Sequence, residues 1–408
     1  MDAEERVAQS VDVSRNRTGL SVSTRISMKV LHVIDSGGMY GAETVLLNLV
    51  QEQVKLGLQA EIASIGEWGI IEKPLEQEAR SRGFNVSEFR MRPGPNPVGA
   101  VRLRNHAKRN GFDILHSHGY KGNILLGAML PVFRRLPLVS TLHGYTSTGG
   151  MSKMGLYEWL DRKMLSRLDA VVLVSETMRD HPKLAGIKGL DFHVIHNGIP
   201  LVRNNGDGPS GTLDHKIKDF CVNGFIIGAV GRFSHEKGFH TLIDAFASVA
   251  RQAPDPKLLI LGDGGLRHEL EMQVSSLELE ERVFMPGYVQ DAAGYMTLFN
   301  VFVLSSLTEG LPMTLLEAMQ CCLPIVSTRV GGMISVLRHE ENGLLVDPYD
   351  PKALAEALMR VYSDGNLRTK LGREAGREVR KKHSSELMAS EYLDLYREVL
   401  QKQKGTFA

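Results

Sequence analysis

The chain has little cysteine, few aromatic residues, almost no net charge and no long apolar run. Its three cysteines in 408 residues, two of them adjacent at Cys321 and Cys322, cannot form a disulfide framework. A reducing cytosol is therefore the simplest compartment. Neither C-x-x-C nor H-E-x-x-H occurs, which leaves zinc little support. A net charge of +1 gives no pull toward nucleic acid. No stretch reaches the roughly 18 apolar residues that a membrane span needs. Residues 1–27 are polar, unpatterned and without an apolar h-region. They read as a mobile tail and not as a signal peptide. D-x-D is absent, and the glycine loop after the first strand is not G-x-G-x-x-G, so the nicotinamide fingerprint is missing.

What is present is a repeated alternation. At 43% hydrophobic and 23% charged, the composition is globular, and the length favours two domains. KVLHVID, EIASIG, DILHSH, PLVSTLHG, AVVLVS and HVIHNG read as buried strands, mostly separated by helix-length segments. FIIGAV, KLLILG, RVFMPG, VFVLSS, PIVST and GLLVD repeat the pattern. Strands apolar on both faces imply parallel sheets covered by helices. Between the two series lies a Gly-, Asn- and Asp-rich stretch, and LMASEYLDLYREVLQKQK closes the chain as an amphipathic helix. The expected architecture is α/β, with residues 28–200 and 224–383 as two doubly wound domains. Residues 201–223 would link them, and 384–408 would form a last helix and tail.

In such sheets ligands bind beyond the carboxyl ends of the strands. Gly37 and Gly38 follow the first strand. Arg232 and Lys237 lie in one loop, GRFSHEKG, where two cations suit a diphosphate or a solvated surface. GDGG, 262–265, is either a close-approach loop or a plain turn. TEGLPMTLLEAM, 308–319, carries Glu309 in a loop and Glu317 at the start of a helix. Thr314 and Glu317 have capping-box spacing, which predicts a helix capped by Thr314. Its N–H groups could hold a phosphate. Glu309, which no cap explains, could accept hydrogen bonds from hydroxyls. His118 and His143 each end a strand and face the expected cleft, where they read either as site residues or as structural histidines.

Glu309-(x7)-Glu317, followed by PIVSTRVGG and NGLLV, closely resembles the GT4 retaining glycosyltransferases of GT-B fold. GRFSHEKG, VIHNG and SGGMYGAE match that family's basic loop, interdomain strand and N-terminal glycine loop. The resemblance runs from about Lys29 to Asp350. It implies two Rossmann-like domains facing a central cleft, with the final helix crossing back to the N-terminal domain. The C-terminal domain would hold a nucleotide-diphosphate sugar. Arg232 and Lys237 would bind its diphosphate, and Glu309 the sugar hydroxyls. The backbone from Leu311 through Pro312 and Met313 to Thr314 would meet sugar and phosphates. Glu317 would hold the ribose, with Tyr288 and Val289 near the base. Gly38 would approach the diphosphate, His143 the reacting sugar, and His118 the acceptor side. Ser335 and Cys322 depart from the family's usual Glu and Gly, so the sugar is not named.

The implied chemistry is retaining transfer to a glycan or lipid-linked acceptor in envelope polysaccharide or glycolipid synthesis. The leaving diphosphate would help to take the acceptor proton. No metal or other cofactor is expected, because Arg, Lys and helix N–H groups stand in for one. The alternatives are a sugar-nucleotide epimerase or phosphorylase of the same fold, or a non-catalytic sugar-nucleotide sensor. A cytoplasmic enzyme is expected. Contact with the inner face of the membrane would run through Arg102, Arg104, Lys108, Arg109, Arg134, Arg135 and the segment 153–167 with Trp159. That reading stands beside a simple solvated helix face.

Overall fold

The computed structural model describes residues 28–94, 96–144, 153–184, 186, 187, 190, 192–201 and 213–406. The tail read at 1–27 lies outside these residues. The apolar runs become two parallel sheets. The first contains β1 (Lys29–Asp35), β2 (Gln59–Glu67), β3 (Asn85–Met91), β4 (Ile114–His118), β5 (Leu138–Leu142), β6 (Ala170–Leu173) and β7 (Phe192–Val194), in the order β3-β2-β1-β4-β5-β6-β7. The second contains β8 (Phe225–Val230), β9 (Pro256–Leu261), β10 (Val283–Gly287), β11 (Val301–Leu304), β12 (Ile325–Thr328) and β13 (Leu344–Val346), in the order β10-β9-β8-β11-β12-β13. Both orders reverse direction beside their first strand, between β1 and β4 and between β8 and β11. That reversal opens a crevice at the carboxyl ends.

Twelve of these strands coincide with the apolar runs. The thirteenth, β3, was hidden by its sequence, NVSEFRM. As an edge strand paired only with β2, it is only partly covered and tolerates polar residues. The segment read as a linker is partly helical. Asp214 caps a helix over His215–Cys221 by accepting from the Lys216 N–H at 2.7 Å.

The final helix, Ser385–Thr406, follows two helices, Pro351–Ser363 and Gly365–Lys382, that come after the last strand of the second sheet. Met388, Tyr392, Tyr396 and Val399 recur at helical spacing and are all buried. They join Val30, Val45 and Leu49 of the first half in one apolar cluster, which continues into Leu311, Met313 and Leu315 of the second. Each such side chain stabilises the fold by about 1.5–3 kcal/mol on burial. The two places where the chain passes between halves are paired: Ile199 N–H donates to the His383 carbonyl, and Ser385 N–H to that of Ile199, each at 2.9 Å.

Candidate functional site

The loop after β11 and the helix Met313–Gln320 form the floor of the crevice. This helix starts one residue before the expected cap. Pro312 (φ −71°, ψ 133°) is its N-cap, so Thr314 lies in the first turn and the capping box is not made. The fixed ring of proline sets the entry angle; proline has no N–H to offer a capping box, and Leu315, not Glu317, is the third helical residue. Its carboxyl is pushed up to about 7, first by burial and then by the Asp291 charge.

Glu309 is not a lone acid. Lys237 Nζ forms an ion pair with its Oε1, which also accepts from Ser306 Oγ at 3.0 Å. The basic loop and the acidic loop therefore meet. Arg232 pairs with Glu236 at 2.8 Å and lies 5.6 Å from the centre of the Tyr40 ring on the opposite half. The glycines of the GDGG loop brace this arrangement from behind: a Cβ at Gly262 would come within 1.9 Å of the Gly231 carbonyl oxygen. Packing thus accounts for Gly262 and, against the Phe233 backbone, for Gly264, while Gly265 has nothing within 4 Å.

Gly331 and Gly332 lock the Glu309 loop in place. Gly331 has φ +52°, and a Cβ there would lie 1.7 Å from the Glu309 carbonyl oxygen. Gly332 N–H donates to the Gly310 carbonyl at 2.7 Å. Across the crevice, a Cβ at Gly310 would sit 2.7 Å from the His143 carbonyl oxygen, and Asn197 Nδ2 donates to the Leu311 carbonyl at 3.3 Å. Leu311 and Met313 are buried and Thr314 is half-buried. Gly38 lies under the Tyr40 ring, 2.9 Å from where its Cβ would be. Tyr288 is exposed, while Val289 packs on the apolar cluster.

His118 is not at an open surface. Both of its ring nitrogens are taken, Nε2 by His32 Nδ1 at 3.0 Å and Nδ1 by His143 Nε2 at 3.2 Å. Sequence reading passed over His32, His116, Gln53, Thr141, Tyr392 and Tyr396, which complete this buried polar run. One signal was available: HSH puts His116 and His118 on the same face of β4, and His32 stands opposite His116 in register. Burial holds His32 and His143 at about 4. His32, His116 and His118 are close enough to ligate an ion. Yet their six ring nitrogens already have protein partners, so an ion would have to break one of these bonds.

The family model for Glycosyl transferases group 1 matches residues 212–378, and that for Glycosyltransferase Family 4 matches 39–203. The chain belongs to the family 4 glycosyltransferases. It is 27% identical over 309 residues to the N-acetyl-alpha-D-glucosaminyl L-malate synthase of Bacillus anthracis, covering 75% of this chain and 80% of that one. It is 29% identical over 273 residues to the UDP-Gal:alpha-D-GlcNAc-diphosphoundecaprenol alpha-1,3-galactosyltransferase of Escherichia coli, covering 65% and 70%. Anabaena HepE, solved with UDP and glucose, superposes with a TM-score of 0.77 at 21% identity over 91% of this chain and 100% of that one. The expected GT-B fold is the fold found, and the chain is a glycosyltransferase.

Proposed function

We propose that this glycosyltransferase moves a sugar, with retention, from a nucleotide-diphosphate sugar to a glycan or lipid-linked acceptor of the cell envelope. The observation that carries the reading is the meeting of Glu309, Lys237 and Ser306 at the mouth of a helix N-terminus. A carboxylate held by one cation offers its remaining lone pairs to sugar hydroxyls. Lys237, Arg232 and the first N–H groups of the helix supply positive potential for a diphosphate. They stabilise the charge that develops on it as the glycosidic bond breaks, which is the work a metal ion does elsewhere. The enzyme is therefore proposed to be metal-independent.

In this reading the backbone from Leu311 through Pro312 and Met313 to Thr314 lines sugar and phosphates, and Glu317 takes the ribose hydroxyls. Tyr288 and Val289 border the base. Gly38 leaves room on the facing half, and His143 borders the reacting sugar. The lipid-linked acceptor in the name of the E. coli relative supports an envelope role. Among the described residues no helix is long and apolar enough to cross a membrane. Peripheral contact would use exposed Val98, Val101, Val132 and Phe133 beside Arg102 and Arg135. Arg134 is not part of that surface, because it is buried against Asp169 at 2.6 Å. Sedimentation with anionic liposomes at low salt tests the contact, and a protein left wholly in the supernatant refutes it.

The main test is binding and slow hydrolysis of UDP-, GDP- and ADP-sugars by wild type and Glu309→Ala. One donor that is hydrolysed, and no longer hydrolysed by the variant, is the expected result. A panel in which no donor binds, even with candidate acceptors present, overturns the reading.

A further inference from the structure

A run of hydrogen bonds joins the final helix to the crevice, and the orientation of the Gln53 amide gives a direction to the links from Tyr396 to His143. Neutral imidazole carries one N–H and one lone pair. The Gln53 amide oxygen faces His32 Nε2 at 2.8 Å, so that nitrogen donates. His32 Nδ1 is then an acceptor and receives His118 Nε2–H at 3.0 Å. His118 Nδ1 is an acceptor in turn and receives His143 Nε2–H at 3.2 Å. His143 Nδ1 is left with its lone pair, buried and without a hydrogen-bond partner among the described residues.

The other side of Gln53 holds the amide in this orientation. Its nitrogen donates to the Tyr396 hydroxyl at 3.2 Å, and that hydroxyl donates to His116 Nδ1 at 2.6 Å. His116 Nε2–H then donates to Thr141 Oγ1 at 2.8 Å, which shares a 2.7 Å hydrogen bond with Tyr392. Gln53, His32, His116 and Tyr396 are fully buried, so water cannot exchange into the run and randomise it. Turning the Gln53 amide over would reverse every bond from Tyr396 to His143. Such chains polarise collectively, which makes the direction a property of the whole run.

We propose that Gln53 and Tyr396 are positioning residues that fix the tautomer of His143 through His32 and His118, so that Nδ1 meets the bound sugar as a hydrogen-bond acceptor. The ligand group received there is then a hydroxyl or N–H, and a carboxylate or phosphate is rejected at this point. The part that concerns turnover rests on the donor reading above; the tautomer itself does not.

The test is nitrogen NMR of the full chain labelled with ¹⁵N-histidine, with His143 assigned by His143→Gln. The expected wild-type spectrum has His143 protonated at Nε2 and bare at Nδ1. Gln53→Glu keeps the acceptor oxygen and should keep that signature. Gln53→Met removes the acceptor and should mix the tautomers, with kcat for donor hydrolysis down about tenfold and KM within about twofold. Tyr396→Phe, which frees the Gln53 amide to turn, should act in the same direction and serves if Gln53→Met does not melt cooperatively. A wild-type His143 protonated at Nδ1 overturns the proposal. So does an unchanged signature in both Gln53→Met and Tyr396→Phe. If no sugar nucleotide turns over, the functional proposal fails alone and the spectra still decide the tautomer.

Discussion

Replacing Gly331 by alanine should disable the site more than it unfolds the protein. The residue has φ +52°, where an L side chain costs roughly 1–2 kcal/mol. Its new methyl group would also lie 1.7 Å from the Glu309 carbonyl oxygen, against 3.4 Å or more for an ordinary contact. Backbone must therefore yield on one side or the other, and overpacking of this kind costs about 1–3 kcal/mol. The combined loss of roughly 2–5 kcal/mol leaves much of a typical domain's stability intact. The Glu309 loop, however, moves by an ångström or more. A displacement of about 1 Å in a positioning element can cost about 10²-fold in turnover. Urea melts and donor hydrolysis measured on the same preparations separate the two effects. Gly111→Ala is the control: φ is +68°, and nothing lies within 4 Å of its Cβ. It should pay the backbone cost and keep wild-type kcat. Gly331→Ala working at wild-type kcat, or Gly111→Ala losing activity equally, would refute the reasoning.

Glu317 should make the ligand-free enzyme less stable as pH rises. Its folded value of about 7 exceeds the ordinary 4.5, so the penalty is absent below pH 4.5, grows between 4.5 and 7, and is complete above. Glu317→Gln should flatten that decline and raise Tm at pH 8; equal pH slopes for both proteins would count against it. Lys237→Met strips Glu309 of its cation and should lower kcat about 10²–10³-fold, read as initial rates at saturating donor. Activity should survive a chelator, and loss with EDTA followed by recovery with Mn²⁺ would sink the metal-free mechanism. His143→Ala should lower kcat while leaving the affinity for the free nucleoside diphosphate unchanged, as measured by calorimetry.

Much of the fold was legible because parallel strands buried on both faces leave continuous apolar runs, such as FIIGAV and VFVLSS. β3 escaped because an edge strand need not be apolar. The helix start was placed two residues too late because Pro312, and not Thr314, takes the cap, although the capping box looked sound locally. In the site, the acids and cations could be named from their loops. Their pairing could not, since Lys237 and Glu309 are 72 residues apart and meet only when β8 and β11 become neighbours. The histidine run was hidden for the same reason. His116 lies 280 positions from the tyrosine that holds it, and no local period connects them.

The final helix sets a timetable for the chain's own synthesis. Gln53 leaves the ribosome 343 residues before its partner Tyr396. At about 5–20 residues per second, that gap is roughly 17 to 70 seconds. The first sheet is complete once β7 has been made at Val194, and from then until the final helix it lacks the buried tyrosines that close its core. The apolar face of Val45, Leu49 and their neighbours must wait in the open or be shielded by a chaperone. The second sheet waits less, because its last strand, β13, ends at Val346, close ahead of the final helix. A message truncated just before the last helix would therefore be expected to damage the half that was made first.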